Sequence, residues 1–106
     1  MKKLLLTGFE PFGGESVNPS WETVSRAAAE GFEVRKVCLP VTFDGAAQRI
    51  CEEIRSFDPD AVVMVGQAGG RKGVTVERVA INLADARIPD NAGAQPEDAP
   101  LAENAP

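Results

Sequence analysis

Apolar and polar positions along the chain switch between strand-like and helix-like spacing. Lys3–Thr7 (KLLLT) is a short apolar run stopped by Gly8, the mark of a buried strand. Asn18-Pro19 supplies an N-cap and a first-turn proline, and Trp21, Val24 and Ala28 follow on one helical face, with Gly31 placed to end the helix. Phe32–Leu39 (FEVRKVCL) reads as a second strand closed by Pro40. Asp44 can cap a second helix whose buried stripe is Ala47, Ile50, Cys51 and Ile54. After a turn at Phe57–Asp60, Ala61–Val65 (AVVMV) is continuously apolar, the pattern of a parallel strand covered on both faces.

This order of strands and helices predicts an α/β fold: an open, mostly parallel twisted sheet with helices on both faces, in three layers. Ligands of such sheets bind beyond the carboxyl ends of the strands. Two glycine-containing loops leave those ends, GFEPFGG at 8–14 and Gly66–Gly73, and they should converge. Phe9 and Phe12 in the first loop either line a small apolar pocket or pack down onto the sheet edge; the pattern favours neither.

The second loop opens the stretch Gly66–Asn91 (GQAGGRKGVTVERVAINLADARIPDN). Within it the alternation slips at Glu77–Arg78, since Val74 and Val76 fall on even positions and Val79, Ile81 and Leu83 on odd ones. That slip predicts a bulge or bend, and parity places Glu77 with the buried set. An inward carboxylate needs a partner. It is either functional or one half of an ion pair with Arg78 or Arg71, and the pattern weights the two equally. Residues 1–91 read as part of one α/β domain. Residues 92–106, rich in Ala, Pro and acids, read as a mobile tail.

Composition narrows the chemistry. At 106 residues, 43% hydrophobic and 25% charged, the chain fits one small globular domain. A net charge of −5 without a basic stripe argues against nucleic acid as partner. The loop at 8–14 matches neither GxGxxG nor GxxxxGK[ST], which sets a nucleotide-binding reading aside. The apolar run of MKKLLLTG is three leucines, against roughly 7–15 for a secretory segment and about 20 for a membrane span. A cytoplasmic, membrane-free protein is expected. There is no histidine, so these residues alone build neither a Cys/His zinc site nor a Cys-His pair. Cys38 and Cys51 read as small buried hydrophobes.

TGFEPFGG at 7–14, NPSW at 18–21, GQAGGR at 66–71, ERVAIN at 77–82 and ARIPDN at 86–91 together resemble pyroglutamyl peptidase I, a family of cysteine peptidases. The resemblance implies removal of N-terminal pyroglutamate from peptides by a Cys nucleophile, a His base and an orienting Glu, with no cofactor and no metal. On it, Glu77 takes the orienting role and Arg87 lies near the oxyanion region. Phe9 and Phe12 border the lactam ring, Gln67 hydrogen-bonds its amide and Asn18 holds the aromatic loop. Family members are roughly twice as long and carry the Cys and His in their second half; many form homo-oligomers. The expectation is therefore the front half of such an enzyme, inactive by itself. The alternative is a non-catalytic module that binds a pyroglutamyl or similar cyclic amide.

Overall fold

The computed structural model describes all 106 residues, Met1–Pro106. Five elements follow one another: β1 (Lys2–Phe9), α1 (Pro19–Arg26), β2 (Phe32–Leu39), α2 (Phe43–Phe57) and β3 (Ala61–Met64). The strands form a parallel sheet in the order β2-β1-β3. β1 runs beside β2 from Lys2↔Phe32 to Phe9↔Leu39 and beside β3 from Leu4↔Ala61 to Thr7↔Met64. One crossover steps outward from β1 to β2 and the next returns across β1 to β3. Right-handed connections in opposite directions place the two helices on opposite faces. The expected three-layer architecture is what forms.

Side-chain alternation along β1 assigns the faces. Leu5 and Phe9 pack with Val37 and Leu39 of β2 against Ala46, Ile50 and Phe57 of α2, and this is the main apolar core. The next position, Gly8, faces α1. A Cβ there would lie 2.9 Å from the Ser20 carbonyl and from Trp21 Cα, so only glycine lets the helix come this close. Charged residues of β2 follow the same parity. Arg35 reaches Glu53 of α2 at 3.1 Å, and Lys36 donates to the carbonyls of Ser25 and Ala27 at the end of α1 at 3.1 and 2.6 Å.

Those lysine contacts explain why α1 ends early. Gly31 was expected to stop it, but the helix closes at Arg26, with Ala27 extended and Lys36 satisfying the freed carbonyls. Gly31 instead takes a positive φ of 83° in the turn before β2. Val24 is buried as expected, Trp21 is half-buried, and Ala28 lies outside the helix and is exposed.

α2 corrects the sequence reading on two points. It starts after Thr42, with Asp44 inside the first turn and not at the cap. Its inward stripe is Ala46, Ile50 and Phe57, while Ala47, Cys51 and Ile54 are exposed. The helix is rotated because Phe57 is buried in the core and Glu53 meets Arg35 of β2. Cys51 is consequently an exposed thiol, and Cys38 is half-buried on β2.

β3 is anchored by Lys3, whose N–H donates to the Asp60 carboxylate at 2.7 Å while Asp60 N–H donates back to the Lys3 carbonyl at 2.9 Å. The strand is not covered on both faces as its apolar run suggested: Val63 and Met64 are exposed, and its outer edge has no strand neighbour. Residues 66–106 carry no further helix or strand, only an antiparallel bridge between Ala84 and Ala99. The segment read as a tail returns along 82–86. Asn82 Nδ2 donates to the carbonyls of Ala102 and Ala105, and its Oδ1 accepts the N–H groups of Leu101 and Ala102. No helix is long and apolar enough to cross a membrane.

Candidate active site

Strand order reverses at β1, so the crevice between the carboxyl ends of β1 and β3 is the switch point of the sheet. The loop after β1 carries Phe9 and Phe12, and the loop after β3 carries Gln67. Val65 N–H donates to the Thr7 carbonyl at 2.9 Å, carrying the pairing one residue beyond β3 and fixing where the second loop departs.

Asn18 organises the first loop. It is 3% exposed at the N-cap of α1, and its Oδ1 accepts the N–H of Ser20 at 2.9 Å and the Ser20 hydroxyl at 2.7 Å. Its Nδ2 donates to the Glu10 carbonyl at 2.9 Å, and Ser20 Oγ accepts the Phe9 N–H at 2.9 Å. The NPSW segment thus caps a helix and grips the aromatic loop with one side chain. Phe9 packs partly on the core, so its ring is shared between sheet and loop. Phe12 is half-buried, ahead of Gly13 and Gly14 at φ of 63° and 79°, left-handed values that let the chain turn back.

A third segment joins from far along the chain. Asn91 N–H donates to the Val41 carbonyl at 2.8 Å, and its Nδ2 donates to Glu10 Oε1 at 3.2 Å and to the Pro11 carbonyl at 3.0 Å. Glu10 Oε1 also accepts the Val41 N–H at 3.2 Å. Beside it, Asp90 Oδ2 accepts the Phe43 N–H at 2.8 Å, and its Oδ1 accepts those of Ala92 and Ala94. The ARIPDN turn is therefore tied both to the aromatic loop and to the start of α2. Glu10 and Asp90, which the sequence reading did not single out, are the carboxylates that hold it. A carboxylate directly after a β-strand and one at the end of an Ile-Pro-Asp turn were the available signals.

Glu77 lies apart from this cluster. Parity placed it inward, but residues 74–83 pair with no strand, so nothing imposes a face on them. Its side chain is 80% exposed and meets Arg71 Nη1 at 3.3 Å, a guanidinium that also donates to Thr75 Oγ1 at 2.7 Å. Of the two partners the sequence offered, the structure selects Arg71. Such an exposed pair contributes little stability. Gln67 and Arg87 are both exposed. The structure thus brings together Phe9, Phe12 and Asn18 with the turn that follows Arg87, and leaves Glu77 beside Arg71. Burial pushes the Cys38 thiol up from its ordinary pKa, and the Glu10 carboxylate adds to the effect, so Cys38 is a poor source of thiolate.

A doubly wound α/β domain, with its aromatic loop tied to the ARIPDN turn beyond the carboxyl ends of β1 and β2, is the class this geometry defines. Comparison with known proteins narrows it. A family model described as pyroglutamyl peptidase matches residues 2–106. The pyrrolidone-carboxylate peptidase of Enterococcus faecalis is 55% identical over 104 residues, covering 96% of this chain and 49% of that protein. That of Thermococcus onnurineus is 55% identical over 106 residues, covering 98% and 53%. The crystal structure of pyroglutamyl peptidase I from Bacillus amyloliquefaciens superposes with a TM-score of 0.94 at 48% identity, covering 100% of this chain and 53% of that one. The chain belongs to the pyroglutamyl peptidase family. It spans about half the length of these relatives.

Proposed function

We propose that this chain is the pocket-bearing part of a cysteine exopeptidase that removes N-terminal pyroglutamate from peptides in the cytoplasm. The observation that carries this reading is the meeting of the aromatic loop, the NPSW cap and the ARIPDN turn at the carboxyl ends of β1 and β2, in a chain of this family. Phe9 and Phe12 border the flat lactam ring, Asn18 holds their loop, and Gln67 in the loop after β3 reaches the lactam amide. Arg87 stands toward the oxyanion. Glu77 orients the imidazole of the general base; its exposed pair with Arg71 is weak enough to be exchanged for that partner.

The nucleophilic cysteine and the histidine come from the second half of the family's domain. Val63 and Met64 on the uncovered edge strand, and Val79 and Ile81 further on, are exposed apolar residues, which supports the assignment.

The test is a chimera in which this chain is followed by the second half of the Enterococcus faecalis relative. It is assayed for release of aminomethylcoumarin from its pyroglutamyl amide. Activity is expected, and Glu77→Gln should lower kcat by at least about 100-fold with little change in KM. The 106-residue chain alone should release nothing. A folded chimera without activity, or Glu77-dependent release by the isolated chain, would refute the proposal.

A further inference from the structure

We propose that Glu10 is a positioning residue that sets the distance between the aromatic pair and the ARIPDN turn. The inference rests on the function proposed above. Glu10 sits between Phe9 and Phe12, and every polar group it owns is engaged except Oε2. Its N–H donates to the Leu39 carbonyl at 3.0 Å, which prolongs the β1–β2 ladder one residue past the strand. Its carbonyl accepts Asn18 Nδ2 at 2.9 Å. Its Oε1 accepts both the Val41 N–H and Asn91 Nδ2, each at 3.2 Å.

One residue therefore touches three segments: the NPSW cap through its backbone, and the β2–α2 loop and the ARIPDN turn through its side chain. Asn91 completes the link by donating to the Pro11 carbonyl at 3.0 Å, so the aromatic loop is held on both sides of its proline. The chemistry needs an acceptor with no proton to donate, because both approaching groups are N–H donors. An ionised carboxylate meets that need, and a glutamine carbonyl meets it nearly as well. Arg87 lies four residues before Asn91 in the same turn, so this link also restrains the arginine's backbone. Aspartate would be one methylene too short to reach both donors from the same backbone position.

The test uses the whole 106-residue chain labelled with 4-fluorophenylalanine, read by fluorine NMR, with amide exchange followed in parallel. In Glu10→Ala the Phe9 and Phe12 signals should shift while that of Phe57 in the core stays. Exchange at the Val41 N–H should rise about tenfold, as expected for loss of one hydrogen bond. Glu10→Gln, which keeps the acceptor, should restore both signals and hold exchange within about threefold of the parent. Should Glu10→Ala fail to fold, Asn91→Ala cuts the same link from its other end and should shift Phe12 alone. Unmoved Phe9 and Phe12 signals in Glu10→Ala, an unmoved Phe12 signal in Asn91→Ala, or a Glu10→Gln chain as disturbed as the alanine variant would overturn the proposal. None of these readouts requires catalysis. An inactive chimera would therefore sink the peptidase reading while leaving the link itself measurable.

Discussion

The Asp90 carboxylate accepts the backbone N–H of Phe43, the first residue of α2, at 2.8 Å across 47 positions of sequence. Thr42, at the local N-cap, makes no side-chain cap bond, so the helix takes this cap from the ARIPDN turn. A distant cap makes the geometry of a site loop and the start of a core helix one structure.

The same contact has a pH signature. The Phe43 N–H holds the Asp90 carboxyl below its usual pKa, burial works the other way, and the N–H groups of Ala94, Ala92 and Gly93 add to the lowering. The unfolded chain, with an ordinary aspartate near pH 3.9, binds the proton first. Stability from this group is thus present above about pH 4 and is lost as pH falls through the lowered folded value. Asp90→Ala should melt at a lower temperature at pH 7, with the gap to the parent closing toward pH 3. Melting curves across that range check it, and a gap that stays constant would refute the assignment.

Gly8 tests the packing of α1. A Cβ there would meet backbone atoms of Ser20 and Trp21 at 2.9 Å, and backbone cannot rotate aside. Gly8→Ala should cost about 1–3 kcal/mol by overpacking and loosen the NPSW cap with it. Chemical denaturation measures the loss; an unchanged midpoint would mean the helix can slide without penalty.

Thr7 predicts the opposite sign. Its side chain is fully buried and its hydroxyl has no hydrogen-bond partner. An unsatisfied buried hydroxyl costs about 1–3 kcal/mol, and valine has nearly the same shape. Thr7→Val should therefore match or exceed the parent in thermal stability. A loss of more than about 1 kcal/mol would show that the hydroxyl is satisfied after all.

What the sequence revealed, and what it hid, follows from which contacts are local. Strand β2, the Asn18-Pro19 cap and the opposite placement of the two helices formed as read, whereas β1 runs through Gly8 to Phe9, because Gly8 and Phe9 still pair with Cys38 and Leu39 of β2. The rotation of α2 is not local: Ala47, Cys51 and Ile54 carry as good a helical stripe as Ala46, Ile50 and Phe57. Contacts from outside the helix tip the choice: Phe57 fits the core against β1 and β2, and Glu53 meets Arg35 of β2. Parity failed at Glu77 for a different reason. Alternation reports a face only where a sheet exists to define one, and residues 74–83 have no strand beside them. The motifs identified the site loops, yet the residues that join them, Glu10 and Asp90, bond to partners 31 to 81 positions away. Such long-range bonds leave no periodicity to read.

Asn82 holds the chain end from Leu101 to Ala105. Its side chain accepts from the N–H groups of Leu101 and Ala102 and donates to the carbonyls of Ala102 and Ala105, so one amide holds a segment with little apolar surface of its own. Asn82→Ala removes all four contacts. Limited proteolysis should then cut within 99–106 much faster than in the parent, while the β1–β2 core remains intact. Equal rates would mean that the Ala84–Ala99 bridge and the bonds of Pro96 and Asp98 to residues 85–86 hold the segment without it.

The two cysteines separate on exposure and electrostatics, and neither matches a nucleophile. Cys51 stands exposed on the outer face of α2, whereas Cys38 is half-buried with its thiol held up first by burial and then by the Glu10 carboxylate. Thiolate is the reactive form, so a raised pKa and a screened sulfur both slow attack. At pH 8 a disulfide reagent should modify Cys51 at least about tenfold faster than Cys38. Replacing Glu10 with glutamine should speed Cys38, because one of its two restraints is gone. On the function proposed above, the attacking thiol lies in the second half of the domain, so replacing both cysteines with alanine in the chimera should leave peptidase activity standing. If activity vanished in that folded double variant, the nucleophile would have to be sought in these residues after all.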